Sequence, residues 1–331
     1  MKLTRRLGPP LIRATLGVSR QQIENAAALT KREPQARPLL QPRNEPTMTK
    51  KNQSANAKTT ENTIVNADCI SFLRDERQRR GDEPFLDLVF ADPPFNIGYD
   101  YDRYDDKVDH HDYIDWSRQW MQACTDALAD HGSFWIAIGD DYVADLRILA
   151  RDIGLTMRNW VIWYYTFGQC TKKKFARSHT HLLYFVKNPK EYIFNDHLVR
   201  VPSARQTTYN DKRANAKGKI PDDTWILRPQ QAPDAFQGDE DTWFFSRVCG
   251  TFKERAGFHG CQMPEKLLER IILSCSNPEH LVFDPFSGSG TTAVVAASLG
   301  RRFLATDISQ NYVDQGLQRL KDSENLFNVG T

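Results

Sequence analysis

The run FLDLVF at positions 85–90 is aliphatic and aromatic with a single acid, and it leads into Asp92-Pro93-Pro94-Phe95. A short apolar run bounded in this way reads as a strand buried inside a sheet. Proline donates nothing to a β-ladder, so pairing must stop at Asp92. The chain then leaves the sheet edge along a rigid path, carrying a carboxylate and next a phenyl ring beyond it. Asp-Pro after a strand is also ordinary turn chemistry, so these four residues need support from the rest of the sequence.

That support begins at residue 63, where strand and helix patterns start to alternate. TIVNADC (63–69) reads as a strand ending in an acid, followed by a brief helix. After the 85–91 strand come a helix over 113–129, a strand over 132–138 and a helix over 142–153. Residues 158–167 and 179–188 alternate as two further strands, expected to form an antiparallel pair. The pattern resumes with a helix at 264–274, a strand at 280–284, a helix at 291–299, a strand at 301–307 and a last helix from Asn311. Strands alternating with helices predict an α/β fold with a mainly parallel sheet.

The second constraint is VFDPFSGSGTTAVVAASLGRRFLATD (282–307): strand, glycine-rich turn, helix, and a strand ending in an acid. Gly288 and Gly290 let a loop pass close to a nucleotide-like ligand. Asp307 stands where such units place the carboxylate that bonds ribose hydroxyls. A dinucleotide or S-adenosyl-L-methionine would each supply that ribose. Two features favour the second: Asp284-Pro285-Phe286 precedes the glycines, and a separate catalytic-looking strand end exists at 92–95.

Those two segments, DPPF (92–95) and DPFSGSGTT (284–292), with HGCQMPEKLLERII (259–272), resemble the DNA amino-methyltransferases of the β arrangement. In that group the catalytic motif comes first, a target-recognition region follows, and the cofactor motif closes the chain. The resemblance spans roughly residues 63–320. It implies a circularly permuted class I methyltransferase sheet of seven strands, Rossmann-like and mainly parallel, with an inserted target-recognition region. The corresponding divisions are a basic tail at 1–60, a catalytic half at 61–194, the insert at 195–258, a cofactor half at 259–322 and a flexible end at 323–331.

The implied reaction moves a methyl group from S-adenosyl-L-methionine to an exocyclic amine of a flipped base in double-stranded DNA. Asp92 and the Pro93 carbonyl would accept hydrogen bonds from that amine, Pro94 would fix the spacing, and Phe95 would stack on the base. The chemistry needs neither a metal nor a covalent intermediate. Asp at the first position of the tetrapeptide favours adenine N6, with cytosine N4 the alternative; RNA or protein amide methylation and an NAD-dependent oxidoreductase are more distant ones. By resemblance Asp284, Phe286, Gly288 and Gly290 line the methionine part of the cofactor, Thr291 or Thr292 reaches its carboxylate, and Asp307 binds the ribose. Asp68, with Cys69 beside it, matches an adenine contact, although a helix N-cap explains Asp68 equally. His259, Gln262 and Pro264 match a His-x-x-Gln-x-Pro element beside the cofactor, with Met263 where the family commonly has lysine.

Charge is unevenly spread. Of 331 residues, 44 are basic and 42 acidic, but residues 1–58 hold twelve Lys/Arg against three Asp/Glu. The remainder has 32 basic and 39 acidic residues, a balance of −7. A DNA partner therefore predicts grouped basic residues, and two groups stand out: Lys172, Lys173 and Lys174, and then Arg200, Arg205, Lys212, Arg213, Lys217 and Lys219. The loop at 100–112 is instead acidic, either a lid or a solvated surface. Trp225 and Trp243 read as core of the insert.

No apolar run approaches the roughly 20 residues of a membrane helix. The start, MKLTRRLGPPLIRATLGV, reads poorly as a secretory signal, leaves a transit peptide open, and is followed by a second possible start at Met48. The six cysteines show no CxxC and no ligand spacing with histidine, as for reduced thiols in a cytoplasmic protein. A homodimer and a cognate restriction endonuclease are further partners that the resemblance allows.

Overall fold

The computed structural model describes residues 61–328, apart from 170–171, 174, 208, 224–247 and 249–253. The tail at 1–60, Lys174, Trp225, Trp243, nearly half of the insert and the end of the 323–331 segment lie outside the described residues.

In chain order the elements are β1 (Thr63–Asn66), α1 (Cys69–Arg79), β2 (Leu86–Ala91), α2 (His110–Ala127), β3 (Leu128–Ile138) and α3 (Val143–Asp152). There follow β4 (Thr156–Gln169), β5 (Arg177–Val186), a 3-10 turn (Asp196–Leu198) and a single helical turn, α4 (Ala204–Thr207). The chain closes with α5 (Glu265–Cys275), β6 (Leu281–Asp284), α6 (Thr291–Ser298), β7 (Arg302–Asp307) and α7 (Gln310–Asn328).

The seven strands form one sheet in the order β1-β7-β6-β2-β3-β5-β4. Every pairing is parallel except those of β5, which runs antiparallel to both β3 and β4. The 158–167 and 179–188 runs are thus the expected antiparallel pair, linked by a hairpin. Strand order reverses between β6 and β2, whose contact is short: Leu88 pairs with Val282 and Val89 with Phe283. Such a reversal opens a crevice at the carboxyl ends of the two strands. Asp92 follows β2 there and Asp284 ends β6.

Two apolar layers sandwich the sheet, because alternate residues of a strand face opposite sides. Leu88, Phe90, Trp135, Ala137 and Val282 face α5 and α6, with Trp135 stacked on Tyr184 at 4.5 Å between ring centroids. Leu86, Val89, Ala91, Phe134, Ile136 and Phe283 face α1, α2 and α3. Buried on both faces, the central strands read as continuous apolar runs. Asp68 caps α1 by accepting the Ser71 N–H at 2.9 Å, and Asp109 caps α2 through the His111 N–H at 2.9 Å.

In the 195–258 region, the described residues hold only short elements: the 3-10 turn, α4 and an isolated bridge between Val201 and Lys219. Among the described residues there, the backbone is held by short-range turns and by bonds to the rest of the fold, such as Ile162 N–H to the Asp223 carbonyl at 2.9 Å and Asn195 N–H to the Ser274 carbonyl at 2.7 Å.

Phe283 is fully buried and stacks on Phe72 across the α1 face. Phe283→Ala is expected to cost about 3–5 kcal/mol, read as a lowered urea midpoint with little change in slope.

Candidate active site

One cavity, about 1020 Å³ of empty space including its open mouth, occupies the crevice between the ends of β2 and β6. Asp68, Cys69, Asp92, Pro94, His259, Asp284, Phe286, Gly288, Thr291, Thr292 and Asp307 all line it. Segments nearly 200 positions apart in the chain therefore share one wall because β2 and β6 are neighbours.

The glycine-rich turn earns its residues by geometry. Gly288 has φ +47°, and a Cβ there would lie 2.9 Å from the His259 ring. Its N–H donates to Asp307 Oδ2 at 2.8 Å, while Ser309 N–H donates to Asp307 Oδ1 at 2.9 Å. Asp284 ends β6 fully enclosed; it accepts the Thr292 hydroxyl at 2.6 Å and the Phe286 N–H at 3.0 Å. Burial pushes its carboxyl up to about 7 despite those two bonds, with the charge of Asp307 adding to the rise. Asp307 is also raised, chiefly by burial. His259 is held down to about 4 by burial, so the ring is neutral at physiological pH.

Buried Asp284 and half-buried Asp307, together with the enclosed and unpartnered Ser287 Oγ and His259 Nδ1, form a polar set that a ligand can complete. A cationic group and a pair of hydroxyls would do so, which fits the sulfonium, ammonium and ribose of S-adenosyl-L-methionine.

Around Asp92 the loop is fixed from beneath. The Tyr113 hydroxyl donates to the Pro94 carbonyl at 2.6 Å. Asn96, at φ +56°, donates to the Val108 carbonyl at 3.0 Å and to the Tyr142 hydroxyl at 2.7 Å, and accepts the Val108 N–H at 2.8 Å. Phe95 is half-buried against Gly139; a Cβ on that glycine would lie 3.2 Å from the Phe95 ring and 3.6 Å from Arg177 Nη1.

Several of the expected site residues stand outside the cavity wall or are engaged within the protein. Gln262 does not line the cavity: it is buried, accepts the Ala256 N–H at 2.8 Å and donates to the Glu254 carbonyl at 2.7 Å, tying down its own loop. Gly290 is absent from the cavity wall as well; at φ +73° it is the N-cap of α6, and a Cβ would press 3.3 Å from Gly316 Cα. Pro93 and Phe95 also stand outside the cavity lining, Pro93 buried and Phe95 on the Gly139 side. The Thr291 hydroxyl, although in the wall, is already bound by Arg319 at 2.8 Å. Asp68 is the N-cap of α1 and also stands in the cavity wall.

Among the basic residues, Arg200 turns inward to Asp196 and to the Gly218 carbonyl at 2.9 Å, and Lys219 pairs with Asp222 at 2.6 Å. Arg205 and Arg213 both clasp Asp211, at 2.6 and 3.0 Å, and hold its carboxyl far below the usual range. Lys172, Lys173, Lys212 and Lys217 are exposed.

The acidic loop supplies what the sequence reading missed. Tyr101, Arg103, Tyr104 and Trp116 line the cavity, with the Tyr104 and Trp116 rings 5.6 Å apart. Asp106 is buried and collects the N–H groups of Asn96, Ile97 and Tyr99 at 2.6, 3.1 and 2.9 Å. Asp102 accepts the Ser309 hydroxyl on the opposite rim. The loop is a cover, and the tyrosines interleaved in YDYDRY were the signal for it. The Asp140, Asp141 and Arg177 group beside Phe95 was also missed, since its parts come from two distant strand ends.

The comparisons agree with this geometry. Residues 86–318 match the family model described as DNA methylase. The Type II methyltransferase M.HpaI of Haemophilus parainfluenzae is 33% identical over 74% of this chain and 71% of its own. The DNA adenine methyltransferase YhdJ of Escherichia coli K12 is 31% identical over 78% and 82%. Among solved structures, the cytosine-N4-specific PvuII DNA methyltransferase superposes with TM-score 0.55 at 17% identity, over 81% of this chain and 93% of that one. An M1.HpyAVI–SAM complex gives 0.53 at 19%, over 78% and 98%. The chain belongs to the DNA methylase family. It is a DNA methyltransferase with the class I fold, and its methyl donor is S-adenosyl-L-methionine.

A carboxyl raised in the folded state contributes stability that is complete below its unfolded value, near 3.8, and is lost as pH rises through about 7. The ligand-free protein should therefore lose part of its stability between pH 6 and 8 on account of Asp284. Urea midpoints at the two pH values should show a smaller drop in Asp284→Asn than in the wild type.

Proposed function

We propose that this chain transfers a methyl group to the exocyclic N6 of adenine at a specific sequence in double-stranded DNA. The observation that carries this reading is the shared cavity: Asp92 and Pro94 of the DPPF segment stand in one wall with Asp284 and Asp307 of the glycine-rich unit.

S-adenosyl-L-methionine, when bound, supplies a methyl carbon made electrophilic by its sulfonium. Asp284, Gly288 and Asp307 would hold it, Asp68 and Cys69 would meet its adenine end, and Tyr101 and Tyr104 would exclude water. The amine of adenine is a weak nucleophile because its lone pair is delocalised into the ring. Asp92 accepts one hydrogen bond from the amine and the Pro93 carbonyl the other, localising the lone pair and aiming it at the methyl carbon. The Tyr113 bond to the Pro94 carbonyl keeps those acceptors in place without touching the base. Flipping a base costs a few kcal/mol, and stacking on Phe95 returns roughly 1–3.

Adenine is favoured by Asp at the first position of DPPF and by the adenine specificity in the name of the YhdJ relative. Exposed Lys172, Lys173, Lys212 and Lys217 are assigned to phosphate contacts, with Arg205 and Arg213 available once Asp211 is displaced. The divisions at 61–194, 195–258 and 259–322 follow the same reading, with the insert reading sequence. Among the described residues no helix is long and apolar enough to cross a membrane; a cytoplasmic enzyme acting on the chromosome is proposed. Relatives named Type II methyltransferases support a role in restriction-modification beside a cognate endonuclease, and a homodimer is proposed by analogy with the family.

The test is expression in a methylation-deficient host, with genomic DNA digested to nucleosides for mass spectrometry. Wild-type protein should produce N6-methyladenine. Asp92→Ala should lower it by about 10²–10³-fold, the scale of removing a group that stabilises the transition state, while S-adenosyl-L-methionine affinity stays unchanged. N4-methylcytosine instead would overturn the base assignment, and neither product from folded, cofactor-binding protein would overturn the substrate.

A further inference from the structure

At the end of the sheet away from the methyl-transfer cavity, three adjacent strands bring together residues far apart in the chain. Asp87 stands near the start of β2, His131 early in β3, and His280 immediately before β6. His131 Nε2 lies 2.6 Å from Asp87 Oδ1, and His280 Nδ1 lies 3.7 Å from the same oxygen. The three donor atoms fall within 4.8 Å of one another. His280 Nδ1 is enclosed and has no hydrogen-bond partner. A buried nitrogen left so close to a carboxylate requires an explanation, and an ion between them is one.

We propose that Asp87, His131 and His280 form a binding site for one divalent cation of the zinc, cobalt or nickel type. Two imidazoles and one carboxylate suit those borderline ions rather than magnesium or calcium, which take oxygen ligands. Asp87 is already oriented for the task, because its Oδ2 accepts the Leu281 N–H at 2.7 Å and leaves Oδ1 toward the histidines. Outer bonds of this kind fix a ligand's direction. The His131 side chain is 41% exposed, so its ring can shift its proton to Nδ1 and swing outward. With bonds near 2.0–2.1 Å, tetrahedral donors stand about 3.3 Å apart; the 2.6 and 3.7 Å separations bracket that distance. The remaining position opens to solvent beside His131. Arg301 and Arg302 act electrostatically on His280 and oppose a cation, which sets the affinity below that of a four-ligand structural site.

A second group, Asp140, His179 and His181, has similar spacing but different protonation. The Trp160 indole N–H donates to His181 Nδ1 at 2.9 Å, which leaves the ring proton on Nε2, where it donates to Asp140 at 2.9 Å. Its lone pair is thus taken on the one side and its proton on the other, and the group is an ion-pair cluster.

The bound ion would join β2 and β3, from before the insert, to β6, from after it, so it would act on stability and not on methyl transfer. The test uses the full chain without an affinity tag, titrated with Co²⁺ by calorimetry and visible absorption, with thermal unfolding alongside. One equivalent should bind and raise the unfolding temperature. His131→Gln and His280→Ala should each weaken binding by about tenfold or more and abolish the rise, with S-adenosyl-L-methionine affinity unchanged. If His280→Ala does not fold, half-exposed His131→Gln carries the test. Absence of a stoichiometric site, or wild-type affinity in His131→Gln, would overturn the proposal.

Discussion

The contact between β2 and β6 is the constraint on which the site depends. It consists of two registered pairs, Leu88 with Val282 and Val89 with Phe283, between strands from opposite ends of the sequence. Asp284 is the last residue of β6 and Asp92 follows the last residue of β2, each just before a proline, so the two acids leave the sheet within two residues of each other in register. The two carboxylates, Asp92 and Asp284, consequently open into one cavity. The apolar residues beneath them are buried on both faces against different helices, and a slip of one residue would exchange the two faces and shift the acids relative to each other.

Most of the fold was legible in the sequence because a parallel sheet declares itself through short apolar runs, and helices through their periodicity. The expected strands and helices occur within a few residues of their expected bounds, including the antiparallel pair of β4 and β5. The strand order was not readable from pattern alone; it came with the resemblance. The cavity wall was legible where a residue's place is set by local geometry, as for Asp284, Gly288 and Asp307, which all line it. It was not legible where function arises by approach from elsewhere. Gln262 sits in a cofactor-like motif, yet its amide is spent on the backbone of Glu254 and Ala256. Tyr101 and Tyr104 sit in an acid-rich loop that gives no period, yet they enter the cavity wall. Arg200 and Lys219 counted as positive charge in the sequence, but nearby aspartates neutralise them.

The acidic loop shows how one buried carboxylate can outweigh several exposed ones. Asp106 gathers three backbone N–H groups from the segment just after DPPF, and Asn96 binds the same loop back to Val108 and Tyr142. The backbone that positions Asp92 and the backbone that roofs the cavity are thereby a single hydrogen-bonded unit. Asp106 organises this unit, while Asp102 ties the loop to Ser309 and Asp109 caps α2.

The edge of the sheet carries a different implication. β1 pairs in parallel with β7, and α7 leads back from the end of β7 while packing against β1. The first and last described elements are therefore immediate neighbours, and the sheet is nearly a closed circuit of chain with one gap. Where that gap falls does not alter which strands touch. The order of the catalytic and cofactor segments along the polypeptide is thus a property of where the circuit is opened, and the same cavity would result from a chain that began with the glycine-rich turn and ended with DPPF.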